Sequence, residues 1–187
     1  MRVLMNALSA TGFSGRHVLL GHLAQLAEWT RGEHEFLVLH HSGNQDIRRE
    51  LGDNVSWVEA PSAAKHWMRR SLWEQTRLPR EMKSWGIDAV VMPSGTAISN
   101  CDLPQAVLAL NPWCLVPRTQ RTAIENLKAL IQRRAYRHAM RKASLMAYAS
   151  GHIRDLYRRN AGGAIEQASE VVYIGLNSET FKAAKAF

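Results

Sequence analysis

Short apolar runs of strand length alternate with helical stretches along nearly the whole chain, and no other feature of the sequence constrains the fold as tightly. Val3 to Ala7 reads as a first strand, apolar on both faces as a buried parallel strand is. A loop of small residues follows (Ser9, Thr11, Gly12, Ser14, Gly15), then a helix from about Arg16 to Trp29 that ends near Gly32. Further strands are expected at Phe36 to His40, Val55 to Val58, Asp88 to Met92, Gln105 to Leu110, Ser144 to Ala149 and Val171 to Ile174. Between them lie a short helix near Asp46 to Leu51 and a Trp- and Arg-rich helical stretch from Ser62 to Trp85, broken near Pro79. A long helix is expected from about Thr119 to Lys142, and another from Ser150 to about Arg159. The pattern is α/β: a doubly wound parallel sheet with helices on both faces, in one domain over residues 1–174, with a linker and helical tail at 175–187.

A chain of 187 residues, 46% hydrophobic, buries a real core, and its ordinary charged fraction argues against disorder. The net charge of +8 favours an anionic partner. Cys101 and Cys114 make neither a disulfide framework nor a zinc-ligand set, so no metal is expected and a reducing cytoplasm is the simplest compartment. The first residues hold an apolar run far too short for a signal sequence or a membrane span.

Parallel sheets of this kind bind ligands where the carboxyl ends of the strands meet a reversal of strand order, so the loops after each strand are the places to search. Gly12 and Gly15 leave room for a ligand beside a helix N-terminus, with Ser14, Arg16 and His17 adding donors; the bland alternative is a tight turn that helps the helix pack. The spacing is not that of a dinucleotide fingerprint. Ser94, Gly95, Asn111, Ser150 and His152 fall on the same edge, with His40 and His41 after the second strand. No serine elbow or metal-binding histidine pair is present.

Two stretches suit an anionic surface. Arg118, Arg121, Lys128, Arg133, Arg134, Arg137, Arg141 and Lys142 face one acid, Glu125, on the long helix, with Leu127, Leu130, Ile131 and Ala135 expected as its buried stripe. Trp67, Arg69, Arg70 and Trp73 interleave indole and guanidinium as membrane interfaces do, although the same rings would serve equally as core.

With those residues in view, the chain resembles the N-terminal, Rossmann-like domain of family-four-type retaining glycosyltransferases of the GT-B fold. The resemblance rests on four segments in order: the first strand, glycine loop and helix (Val3 to Val18); EQTRLPREMKSWGIDAVVMPSG at Glu74 to Gly95; the basic helix followed by SLMAYAS and GHIRD (Thr119 to Asp155); and VVYIGLNSETF at Val171 to Phe181. It departs from the family in lacking adjacent glycines in the first loop and in carrying Asn111-Pro112 where many members have His-Asp. The resemblance implies a nucleotide-sugar donor as substrate, no further cofactor, and a sugar or lipid-linked acceptor of the bacterial cell envelope. It also implies that the donor-binding C-terminal domain, with its pair of glutamates, lies outside this sequence, so that the 187 residues alone would not transfer sugar. A cytoplasmic enzyme, peripheral on the inner face of the membrane, is the corresponding expectation. A competing reading is a basic binding module, or a subunit docking a separate donor-binding chain or a polyanion. Nucleic acid is disfavoured because no helix-turn-helix, RRM or KH pattern is present.

Overall fold

The apolar runs align as seven parallel strands in one sheet, which the computed structural model describes over residues 1–117, 122–163 and 168–173. In chain order the elements are β1 (Arg2–Asn6), α1 (Phe13–Trp29), β2 (Glu35–His40), β3 (Val55–Glu59), α2 (Trp67–Thr76), α3 (Leu78–Ser84), β4 (Ala89–Met92), β5 (Gln105–Ala109), α4 (Ala123–Lys142), β6 (Leu145–Tyr148), α5 (Gly151–Ala161) and β7 (Ala168–Val171). Short 3-10 turns occupy Gln45–Ile47 and Ser62–Lys65. The strand order is β3-β2-β1-β4-β5-β6-β7. The order reverses between β1 and β4, which makes their carboxyl ends the switch point of a Rossmann-like sheet.

Side-chain alternation along the strands divides the interior in two. Val3, Met5, Phe36 and Val38 point to one face and pack with Leu19, Leu23 and Ala27 of α1 and Ile47 of the first 3-10 turn. Leu4, Leu37, Leu39, Val90, Met92, Val107 and Met146 point to the other face. They meet Leu78 and Met82 of α3, Tyr136, Ala139 and Met140 of α4, and Ile153 and Tyr157 of α5. Each fully buried Leu or Met contributes about 1.5–3 kcal/mol relative to exposure. Both faces therefore need their helices, as right-handed crossovers supply them.

Local details depart from the sequence expectations in physical ways. α1 begins at Phe13 rather than near Arg16, because Gly12 takes an extended conformation and serves as its N-cap. Ser14 and Gly15 thus lie in the first turn, where amides have no intrahelical acceptor and weak helix formers cost little. The Trp-rich stretch divides at Arg77, and Pro79 falls in the first turn of α3, where its missing N–H is harmless. The helix expected near Asp46 to Leu51 is only the 3-10 turn Gln45–Ile47. α4 starts at Ala123, after a capping box in which Thr122 Oγ1 accepts the Glu125 amide (3.2 Å) and Glu125 accepts the Thr122 amide (2.9 Å).

The stripe of α4 is also not the one its aliphatic residues suggested. Ala129, Tyr136, Ala139 and Met140 are buried, while Leu127, Leu130 and Ile131 are exposed. Two alanines bring the helix close to the sheet and the tyrosine fills the remaining volume. The last strand lies three residues earlier than expected, at Ala168–Val171, in register with the four residues of β6. Ile174 and the tail 175–187 lie outside the described residues. Among the described residues no helix is long and apolar enough to cross a membrane.

Candidate functional site

The carboxyl ends of β1 and β4 are occupied by Asn6 and Met92, and α2 leans over them. Asn6 is the polar end of an otherwise apolar strand. It is buried, its Nδ2 donates to Glu74 Oε1 (2.8 Å) and contacts Met92 Sδ (3.5 Å), and its Oδ1 accepts the Leu8 amide (3.1 Å). Burial pushes the Glu74 carboxyl above its ordinary pKa, with the Asn6 hydrogen bond and the Arg70 guanidinium opposing that shift. Arg70, one turn earlier on α2, donates to the Leu8 carbonyl (2.8 Å). Gln75, beside Glu74, clamps the loop after β4, donating to Ala97 O (3.1 Å) and accepting the Ser99 amide (2.7 Å). Helix α2 therefore ties the first-strand loop to the fourth-strand loop across the switch point.

The loop after β2 is tied to the same place. Asn44 is fully buried; its Nδ2 donates to Ala7 O (2.8 Å) and Ala10 O (3.3 Å), and its Oδ1 accepts the His41 amide (2.9 Å). His41 Nδ1 accepts the Gly43 amide (2.9 Å), which fixes the neutral tautomer with its proton on Nε2. Burial, then Arg70, Lys65 and His40, hold this imidazole below its ordinary pKa, against the pull of the Leu8 carbonyl. His40 is buried as well and sits edge-on to Trp57.

The residues named from sequence fall into three groups. The glycine loop stands beside the switch point. Among the described residues a Cβ at Gly12 would meet nothing within 4 Å and one at Gly15 only Ala10 Cα at 3.8 Å. No side chain caps the first amides of α1, and no acid lies in that turn. That leaves donors and a positive dipole end facing outward. Arg16 is engaged there, reaching Ala10 O (3.3 Å) and pairing with Asp46. His17 is exposed and stacks on Phe13.

The second group serves the loops of the sheet's other half. Ser94 and Thr96 share a hydroxyl hydrogen bond of 2.7 Å. Gly95 is buried with φ +75°, packed on Tyr136 and Tyr157, which gives it a reason internal to the chain for being glycine. Asn111 accepts the Trp113 amide (3.0 Å) through its side chain and the Tyr136 hydroxyl (3.0 Å) through its carbonyl. Ser150 is the N-cap of α5, accepting the Ile153 amide at 3.2 Å, and His152 is exposed beside it. Both follow β6, three strands from β1 and so about 14 Å from the switch point. The structure sets Gly12, Ser14 and Gly15 at the start of α1, directly after β1 and its Asn6–Glu74 pair, and sets Ser150 and His152 three strands away after β6.

The third group comprises the surface candidates. Trp73 packs against the main core, and Trp67 is half-buried with Lys128 Nζ 5.6 Å from its ring. Arg69 and Arg134 are exposed, whereas Arg133 donates to Cys114 O (2.6 Å) and Arg137 is half-buried. Arg70 turns inward, as described above.

Two concavities lie outside the Asn6–Glu74 pair, the first beside the loop after β2. One of about 460 Å³ is lined by Gln45, Arg48, Arg49, Glu50 and Trp57, and another lies at the opposite, amino edge of the sheet beside Arg2, Glu33 and Asp88. Among the described residues no group of three His, Cys, Asp or Glu side chains converges. Sequence reasoning missed Asn6 and Glu74; the signals were a polar residue closing an apolar strand and one of only two acids in a stretch of Trp and Arg. The chain matches no protein-family model, and no curated protein matches it.

Proposed function

We propose that this Rossmann-like domain is the acceptor side of a glycosyltransferase that moves a sugar from a nucleotide-sugar donor to an envelope polysaccharide or a lipid-linked acceptor, working with a second, donor-binding domain. The observation that carries this reading is the Asn6–Glu74 pair at the switch point beside the uncapped start of α1. The Glu74 carboxyl, half-buried and oriented by the 2.8 Å hydrogen bond from Asn6 Nδ2, offers an acceptor position that suits a sugar hydroxyl. Amides at a helix N-terminus suit a phosphate, and backbone donors need no reorganisation as charge develops on a departing diphosphate. Glu74, with its raised proton affinity, accepts a hydrogen bond from the reacting hydroxyl of the acceptor and orients it. Gly12 and Gly15 keep the approach clear, and Arg16 is close enough to exchange Asp46 for an anionic ligand.

The test is an amide-resonance titration of the 187-residue chain with methyl hexosides, sugar 1-phosphates and UDP-hexoses. Shifts are expected at Asn6, Gly12, Ser14 and Gly15. Gly12→Val and Glu74→Ala each weaken binding at least about tenfold, an amount expected for lost groups in a polar site. Absence of shifts at those amides with every probe overturns the reading, as does binding that both variants leave intact.

A further inference from the structure

Helix α4 carries on its outer side a surface that the described residues leave exposed. Ile124 is 79% exposed, Leu127 60%, Leu130 48% and Ile131 48%. Their spacing places them on one face, opposite Ala129, Tyr136 and Met140, which pack against the sheet. From Ile124 to Ile131 the stripe runs about 10 Å along the helix. Beyond it, the same outward side continues as Arg134 and Arg141, both exposed, with Lys142 at the end. The one acid of the helix, Glu125, is held in the capping box at its start. A second exposed apolar pair, Met68 and Leu72, lies on α2, whose first residue, Trp67, faces Lys128 of α4.

We infer that the outer side of α4 docks on an anionic lipid bilayer, with Ile124, Leu127, Leu130 and Ile131 inserted at the level of the headgroups and Arg134, Arg141 and Lys142 on lipid phosphates. The inference is independent of the transferase reading. Charge complementarity selects this occupant: the chain carries +8, and the outward side of the helix adds cations that make no ion pair among the described residues. A nucleic-acid backbone would take the cations but offers nothing to four aliphatic side chains. A second copy of the chain would cover the aliphatic stripe but set like charges against one another. A bilayer accepts both halves of the face at once, with the helix axis parallel to the surface, as interfacial helices lie. The tryptophans are not the inserting groups, because Trp73 is packed on the core and Trp67 is half-buried.

The experiment is vesicle flotation of the full 187-residue chain, with phosphatidylcholine vesicles alone or mixed with phosphatidylglycerol. Binding is expected only with the anionic lipid and weakens as salt rises, because exposed charges are screened over about 10 Å at 0.1 M. The double variant Leu127→Ser with Ile131→Ser, on side chains the core does not use, lowers binding at least about tenfold while the melting temperature holds. Arg134→Gln with Arg141→Gln weakens binding and flattens its salt dependence. Trp29→Ser, an exposed change on the opposite face of the sheet, leaves it unchanged. Equal binding to both kinds of vesicle, or to neither, overturns the inference. So does a serine variant that floats like the parent, or one whose only effect is to dissociate a dimer in sedimentation.

Discussion

Asn6 and Glu74, 68 residues apart in the chain, meet through a 2.8 Å hydrogen bond directly over the reversal of strand order. Asn6 is locked at both ends of its amide, so the position of its Nδ2 is set by β1 and the turn to Leu8 rather than by Glu74. The carboxyl is thus brought to a fixed donor at the reversal of strand order, where α2 ties the loops after β1 and β4 together.

That geometry predicts the effect of neutralising the carboxyl. Burial raises the folded pKa of Glu74 above its ordinary value of 4.5. A group whose folded pKa is raised contributes stability that is fully present below its unfolded pKa and is lost as pH rises through the folded one. Glu74→Gln keeps an acceptor for Asn6 and carries no charge to desolvate. The variant should therefore melt above the parent at neutral pH, and the two curves should converge in acid below about pH 4.5. A lower melting temperature at neutral pH would show that Arg70 and Asn6 hold the ionised form more strongly than burial opposes it.

The sheet was legible in the sequence because its signal is periodic and local. Runs such as Val3 to Ala7 and Gln105 to Leu110 tolerate no other environment, and all seven strands were placed to within a few residues. The outward stripe of α4 was not, because Leu127, Leu130 and Ile131 look like any buried stripe until Ala129 and Ala139 reveal which side approaches the sheet. Gly95 illustrates a second limit. A glycine on the ligand edge is compatible with a ligand or with a neighbouring ring, and only the position of Tyr157, 62 residues on, shows the ring. The pair at the switch point depends on a helix and a strand whose contact no spacing rule encodes.

Asn44 joins the loops after β1 and β2, and its removal should be costly. Its side chain makes three hydrogen bonds to backbone groups at a fully buried position. Asn44→Ala leaves one amide and two carbonyls without that partner and should lower stability by about 2–4 kcal/mol in urea unfolding. Asn44→Asp sets a carboxylate against the Ala7 and Ala10 carbonyls, with no donor to offer while ionised. Its loss should exceed that of Asn44→Ala at neutral pH and shrink as the carboxyl protonates in acid. A change of less than about 1 kcal/mol for Asn44→Ala would mean that water enters and replaces the side chain.

Gly95 and Tyr157 should prove energetically coupled. At Gly95 the backbone has φ +75°, and a Cβ added there would run into the Tyr157 hydroxyl and approach Tyr136 Cε1 to 3.1 Å. Tyr157 cannot swing aside: it is fully buried, stacked on Tyr136 at 4.6 Å and edge-on to Tyr148 at 5.6 Å. Gly95→Ala therefore combines a left-handed backbone with overpacking and should cost about 2–4 kcal/mol. The Tyr157 hydroxyl itself is buried without a hydrogen-bond partner among the described residues, and burial raises its pKa well above the ordinary tyrosine value. Tyr157→Phe removes an unsatisfied polar atom while keeping the ring stack, so stability should stay level or rise by up to about 1 kcal/mol. In the double variant the added methyl occupies the space left by the hydroxyl. The remaining cost is then chiefly the backbone term of about 1–2 kcal/mol. The double-mutant cycle should show a favourable coupling of about 1–2 kcal/mol, read from urea midpoints at constant m-value. Strict additivity would mean that Gly95 is required for its backbone conformation alone, and a large loss from Tyr157→Phe would show that the hydroxyl has a partner that holds this half of the sheet edge together.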